Sequence, residues 1–161
     1  MEQNNIPKHK LYWFTGQPGA GKTTLAKQLK RKLDGMHDGR EKVVVLDGDE
    51  IRDLFNNKDY SIDGRMKNVE MVQNCCRFLA KNDITVIVCM VSPFAKQRAN
   101  IVKELNGIEI LVECIEIRGR EQFHVDYFEQ PLYTNNYNSI NINTSFKTDE
   151  QSFETLWKRL L

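Results

Sequence analysis

Residues 16–23 read GQPGAGKT, a full match to the pattern G-x-x-x-x-G-K-[ST]. Glycines at 16, 19 and 21 let the backbone bend so that successive N–H groups point inward. Those donors, together with the start of a following helix, make a concave site for an anion. The chemistry on offer is the holding of a polyphosphate. Gly16, Gln17, Pro18, Gly19, Ala20 and Gly21 would form the cradle, with Thr24 closing the nucleotide-binding set. Lys22 would bridge the β- and γ-phosphates as a point charge, and Thr23 would offer its hydroxyl to Mg²⁺. Context supports the match, because it follows the apolar run LYWF (11–14) and opens a repeat of Leu25, Leu29 and Leu33. The plain alternative is a glycine-rich strand–helix turn with no ligand. Motif and context together favour a nucleoside triphosphate.

A second candidate lies in DGDEIR, residues 47–52, directly after VVVL. In α/β sheets, ligands gather beyond the carboxyl ends of the strands. A carboxylate at Asp47 could there accept a hydroxyl proton or hold water around Mg²⁺. Arg52 could turn toward an anionic acceptor. Helix capping is the competing role for Asp47 and Asp49, since both precede the helix-like EIRDLF. We expect Asp49 to cap and Asp47 to do chemistry. No guanine-reading N-K-x-D is found, which argues against a GTPase.

The elements that must position these groups alternate. Apolar runs at 11–14, 43–46, 84–91, 108–115 and, weakly, 140–142 read as strands. The middle ones are nearly continuous and rich in β-branched residues, as in parallel strands covered on both faces. Helical stripes lie between them: Leu25/Leu29/Leu33, then Val69/Val72/Cys76/Leu79, then a helix over 96–105 burying Ile101, Val102 and Leu105. The tail places Phe153, Leu156, Trp157 and Leu160 on one stripe that should dock on the sheet. The expectation is an α/β fold of the P-loop NTPase type: three layers, α/β/α, with a mainly parallel five-stranded sheet. We expect one domain over 1–161, with 1–9 flexible and 116–139 a lid-like loop.

Composition sets limits on partners. The chain has 161 residues, 28% charged, and a formal net charge of +1. That balance offers no extended nucleic-acid or membrane-surface footprint, so an anion site must be local. The stretch MEQNNIPKHK lacks an apolar core of a signal peptide, and no run approaches the ~18 apolar residues of a membrane span. Cys75, Cys76, Cys89 and Cys114 form no CxxC pair, which fits a reduced, cytoplasmic compartment.

WFTGQPGAGKTTLA, VVVLDGDEIR and VIVCMVSPFAKQR, in this order, resemble the adenylyl-sulfate kinase family over roughly residues 11–115, with a weaker echo at INTS (142–145). The resemblance implies a P-loop kinase that uses ATP and Mg²⁺ to phosphorylate the ribose 3′-hydroxyl of adenosine 5′-phosphosulfate. It implies Asp47 as base or metal-organising carboxylate and Arg52 as a contact to the acceptor nucleotide. The family motif F-S-x-x-D-R-x-x-N is similar to YSIDGRMKN (60–68), with the aspartate displaced to Asp63. Tyr60 then stands where an adenine-stacking phenylalanine is expected, and Arg65 and Asn68 match acceptor-binding residues. An exposed first helical turn is the alternative for Arg65 and Asn68. SPF at 92–94 resembles the family's I-S-P-[YF], casting Ser92 as a positioning hydroxyl and Phe94 as part of the acceptor site, followed by an arginine that matches Arg98. Pro93 could simply mark the turn into the next helix. A homodimer is implied on the same basis.

The resemblance breaks at EIRGREQFHVDYFEQP (116–131), where a basic lid with R-D-x-K-x-L-Y is expected. Arg118 and Arg120 could supply charge to the transferring phosphate, and Phe123 the other side of a base sandwich. His124 reads as surface or packing. Because a lid reads the acceptor and excludes water, the reaction is better supported than the substrate. The family includes kinases of cytidine diphosphoramidate, acting in capsule decoration, which is the alternative acceptor. A nucleotide-binding regulatory module without phosphotransfer is the alternative of another class.

Overall fold

Alternate residues of the first strand go to opposite sides of a sheet, and here both sides are apolar. In the computed structural model Leu11 and Trp13 join one buried cluster while Tyr12 and Phe14 join another. This is why LYWF reads as a continuous run rather than an alternating one. The structure describes residues 9–36, 41–116, 118–119, 123–132 and 138–161. The flexibility expected of 1–9 therefore falls, His9 apart, outside the described residues, as do Arg120 and part of the 116–139 loop.

The elements run β1 (Leu11–Thr15), α1 (Lys22–Met36), β2 (Lys42–Asp47), α2 (Gly48–Leu54), α3 (Ile62–Lys81), β3 (Ile84–Cys89), α4 (Ala95–Glu104), β4 (Ile108–Glu113), β5 (Ser139–Asn143) and α5 (Asp149–Leu160). The strands form one five-stranded sheet in the order β2-β3-β1-β4-β5. Every pairing in it is parallel. Parallel neighbours need crossovers, and the helices supply them on both faces. On one face Leu25, Leu29 and Leu33 of α1 meet Leu156 and Leu160 of α5 over Phe14, Ile110 and Ile142. On the other, Ile51 of α2, Val69, Val72 and Cys76 of α3, and Ile101 and Val102 of α4 cover Trp13, Val86 and Val88. The expected three layers are present, and the tail helix docks as its stripe requires.

Two strands stop earlier than their apolar runs. The run at 84–91 leaves the ladder after Cys89, because Met90 to Ser92 must turn toward α4 and Ser92 takes a left-handed φ of 39°. The run at 108–115 ends at Glu113, and Ile115 is exposed. α5 begins with a capping box in which the Thr148 hydroxyl accepts from the Gln151 N–H and Gln151 reaches back to the Thr148 N–H. Among the described residues, no helix is long and apolar enough to cross a membrane.

Candidate active site

β1 lies at the middle of the sheet, so the turn leaving it opens where ligands of α/β sheets collect. Gly16, Gly19 and Gly21 take φ values of 140°, 81° and 105°. Gly16 has a second reason to be glycine: a Cβ there would collide with the carbonyl oxygen of Val112 in β4. The cradle is thus pressed against the neighbouring strand. Lys22, buried at the first position of α1, turns back over the loop and donates to the carbonyls of Gly16 at 2.9 Å and Gln17 at 2.8 Å. Its charge therefore sits inside the ring of backbone that would surround a phosphate.

Thr23 donates to Asp47 Oδ2 at 3.0 Å. The other oxygen of Asp47, Oδ1, accepts from the Asp49 N–H at 2.9 Å and caps α2. Asp47 therefore caps α2 with one oxygen and orients the Thr23 hydroxyl with the other. The expectation that Asp49 caps the helix is corrected: β2 runs to Asp47, α2 begins at Gly48, and Asp49 is an exposed acidic residue of its first turn. Cys89 stands beside Asp47 because the two are register partners at the ends of β3 and β2. Its thiol donates to Asp47 Oδ2 at 3.4 Å. Burial, and then the charge of Asp47, push the Cys89 thiol up to about 12, so it stays protonated as a donor. Cys89 is also part of the buried core, and it reaches Asp47 because adjacent parallel strands ending level bring their last side chains together.

On the far side of the cradle a shallow, open recess is lined by Gly21, Thr24, Leu25, Arg118, Thr144, Lys147, Asp149 and Ser152. The Thr144 hydroxyl, buried, donates to the Ala20 carbonyl at 2.7 Å. Arg118 donates to the Thr144 carbonyl and to Glu116, each at 3.1 Å. That places its guanidinium over the recess beside the start of α1. The INTS echo was the only sequence signal for Thr144.

The residues expected to face an acceptor form a cluster around one ring. The guanidinium of Arg52 lies 4.4 Å from the Tyr60 ring centroid and that of Arg65 lies 5.6 Å from it. Arg52 is buried and donates to the Asp59 carbonyl at 2.8 Å, whereas Tyr60 is 58% exposed. Burial lowers the Arg52 guanidinium from its ordinary value, and the neighbouring Arg65 adds to this. Asn68, on α3, donates to the carbonyl of Gly48 at 3.4 Å, one residue from Asp47. Its Oδ1 is buried with no hydrogen-bond partner, leaving an acceptor available at that point.

Gly64 explains why the aspartate of YSIDGRMKN is displaced. A Cβ at 64 would overlap both the carbonyl oxygen and the carboxyl carbon of Asp59, whose side chain accepts from the Ser61 N–H at 2.9 Å. Space for a side chain at 64 is already taken. Gly64→Asp, which would restore the motif, should lower unfolding free energy by about 1–3 kcal/mol in chemical denaturation. Unchanged stability would show that the 57–60 loop simply moves aside.

The cluster does not include Ser92. That residue is buried, accepting from the Trp13 indole at 2.9 Å and donating to Thr15 at 3.2 Å. Its hydroxyl is spent inside the sheet edge, fixing the turn. Arg98 is likewise internal: it donates to Glu109 at 2.6 Å, to the Ser92 carbonyl at 2.6 Å and to the Glu129 carbonyl at 2.6 Å. Phe94 lies 5.9 Å from the Tyr127 ring, and Phe123 is half exposed in the lid-like segment.

The sequence profile described as Adenylylsulphate kinase matches residues 8–125. The chain belongs to the adenylyl-sulfate kinase family. A probable adenylyl-sulfate kinase of Pseudomonas aeruginosa is 31% identical over 169 residues, covering 92% of this chain and 76% of the relative. A probable adenylyl-sulfate kinase of Archaeoglobus fulgidus is 38% identical over 111 residues, covering 67% of this chain and 70% of the relative. The APS kinase CysC of Mycobacterium tuberculosis, solved in complex with AMPPNP and APS, superposes with a TM-score of 0.68 at 23% identity, covering 94% of this chain and 97% of that one. That likeness shows the fold. The P-loop kinase fold expected of an adenylyl-sulfate kinase is the one observed.

Proposed function

We propose that this protein transfers the γ-phosphoryl group of ATP to the ribose 3′-hydroxyl of adenylyl sulfate. The observation that carries the reading is the pair Thr23–Asp47, held at 3.0 Å where the cradle of β1 meets the end of β2. The residues fit a magnesium nucleotide: an inward lysine, a hydroxyl already oriented by a carboxylate, and glycine backbone that a Cβ would obstruct. Mg²⁺, when bound, neutralises charge on the phosphates. Thr23 and Asp47 would hold it, Asp47 through water.

Each residue then has one task. Lys22 exchanges its backbone acceptors for phosphate oxygens as the nucleotide enters. Gly16 to Thr24 position the triphosphate, and the recess beside Arg118 and Thr144 takes the base. Tyr60 stacks on the acceptor base, and Arg52, Arg65 and Asn68 hold its anionic tail and ribose. The 3′-oxygen attacks in line: a bond forms from that oxygen to the γ-phosphorus, the bond to the β,γ-bridging oxygen breaks, and ADP leaves. The hydroxyl proton goes to Asp47 or to water that Asp47 orders. Arg118 lies toward the base recess, so phosphate charge falls to Lys22. A single domain, a cytoplasmic location and a homodimer complete the proposal.

The decisive assay follows ADP and product mass with ATP, Mg²⁺ and each acceptor in turn. Acceptor-dependent ADP and a product heavier by one phosphoryl group are expected with adenylyl sulfate. Turnover confined to cytidine diphosphoramidate would replace the acceptor, a reading favoured by the missing R-D-x-K-x-L-Y in 116–131. ATP loss independent of acceptor, or none, would favour a regulatory module.

A further inference from the structure

Gln17 occupies the second position of the cradle, and its side chain does not face the phosphate space. Its Nε2 donates to the Val125 carbonyl at 2.9 Å while its Oε1 accepts from the Val125 N–H at 3.0 Å. A side-chain amide set against the N–H and C=O of one residue satisfies both backbone polar groups of Val125, as a neighbouring strand would. The Val125 side chain is itself buried. Four residues later the same segment is fastened to the opposite half of the site. The Glu129 N–H donates to the Pro93 carbonyl at 2.9 Å, and its carboxylate accepts from the Ala95 N–H at 2.7 Å. The Glu129 carbonyl takes the third bond of Arg98. Between the two anchors, Tyr127 lies against Phe94.

Residues 125–129 are therefore a strap. One end is tied to the phosphate cradle and the other to the turn between β3 and α4. We infer that Gln17 is a positioning residue that latches this strap to the cradle and so sets where the acceptor half stands relative to the transferring phosphate. The inference rests on the kinase reading for its catalytic consequence, but the latch itself is a property of the fold. Gln17 also holds Lys22 through its carbonyl, so one residue touches the phosphate-seeking lysine and the strap. Two hydrogen bonds to the backbone of a single residue are specific in register: a strap shifted by one residue would lose both.

Gln17→Leu removes both bonds at similar volume, and Val125→Pro removes the N–H while leaving Gln17 in place. Amide hydrogen exchange at Val125 should quicken at least about tenfold in Gln17→Leu, the scale expected for losing two net hydrogen bonds. The acceptor KM should rise about tenfold, with the ATP KM within threefold and acceptor-independent ADP release increased. Thermal unfolding should stay close to wild type, which separates a latch from a general stabiliser. The double variant should be no worse than the poorer single one, because both remove one interaction. Unaltered exchange at Val125 in Gln17→Leu, or defects that add in the double variant, would overturn the latch. Exchange decides this even if wild-type protein phosphorylates neither acceptor, an outcome that would count against the kinase reading alone.

Discussion

Asp47→Asn should lower kcat by about 10²–10⁴-fold while leaving nucleotide affinity within a few-fold of wild type. The division of labour between the two carboxylate oxygens makes this substitution unusually informative. Oδ1 caps α2 through the Asp49 N–H, and asparagine caps helices about as well as aspartate. The fold should therefore survive, with a melting temperature near that of wild type. What is lost is the charge at Oδ2, the atom that receives the Thr23 hydroxyl and the Cys89 thiol. On the proposed mechanism, a bound metal would then be held less firmly and the attacking hydroxyl would lose its base. Asp47→Ala should add a stability loss of about 0.5–2 kcal/mol for the missing cap. A coupled ADP assay beside a fluorescent-nucleotide titration and a thermal melt reads all three quantities. Turnover of Asp47→Asn near wild type would remove Asp47 from the chemistry.

The second large effect is on stability rather than turnover. Arg98→Met should lower unfolding free energy by about 3–5 kcal/mol, because Glu109 would keep its buried carboxylate without its counter-charge. Both side chains of this pair are 0% exposed, and the bond between them is 2.6 Å. Against a typical total of about 5–15 kcal/mol, such a loss leaves a marginal protein. Arg98→Met with Glu109→Leu should regain much of it, since replacing both charges by apolar groups leaves no buried charge of this pair. Urea denaturation of the single and double variants tests this. If the double variant were as unstable as Arg98→Met, the bonds from Arg98 to the Ser92 and Glu129 carbonyls would be the dominant contribution.

The local parts of this molecule could be read from its residues. A glycine-rich match between an apolar run and a leucine repeat implies strand, turn and helix at once, and β1, the cradle and α1 follow it closely. The parallel sheet was legible in the unbroken apolar runs, since each strand is covered on both faces. What escaped was decided between elements distant in the chain. The meeting of Cys89 with Asp47 depends on the register of β2 against β3. The withdrawal of Ser92 into the sheet edge depends on Trp13, seventy-nine residues away. Arg98 is legible from sequence only as the match to a family arginine, yet it is drawn inside by Glu109 of β4 and by the Glu129 carbonyl thirty-one residues on. Both aspartates precede a helix-like run, but β2 extends one residue past its apolar run, to Asp47, and α2 begins at Gly48, so the cap falls to Asp47.

The hydroxyl of Thr144 closes the cradle by binding Ala20, a residue 124 positions earlier. β1, moreover, is flanked by β3 and β4 and has no other strand neighbours. The phosphate motif is thus encoded near the start of the chain but is completed by its last strand. During synthesis at roughly 5–20 residues per second, several seconds or more separate the emergence of the glycine loop from that of its closing threonine. Until that threonine arrives, a nascent chain has the glycine loop without this closing hydrogen bond. The native closure of the cradle is therefore a property of the chain folded through Thr144, not of the glycine loop alone.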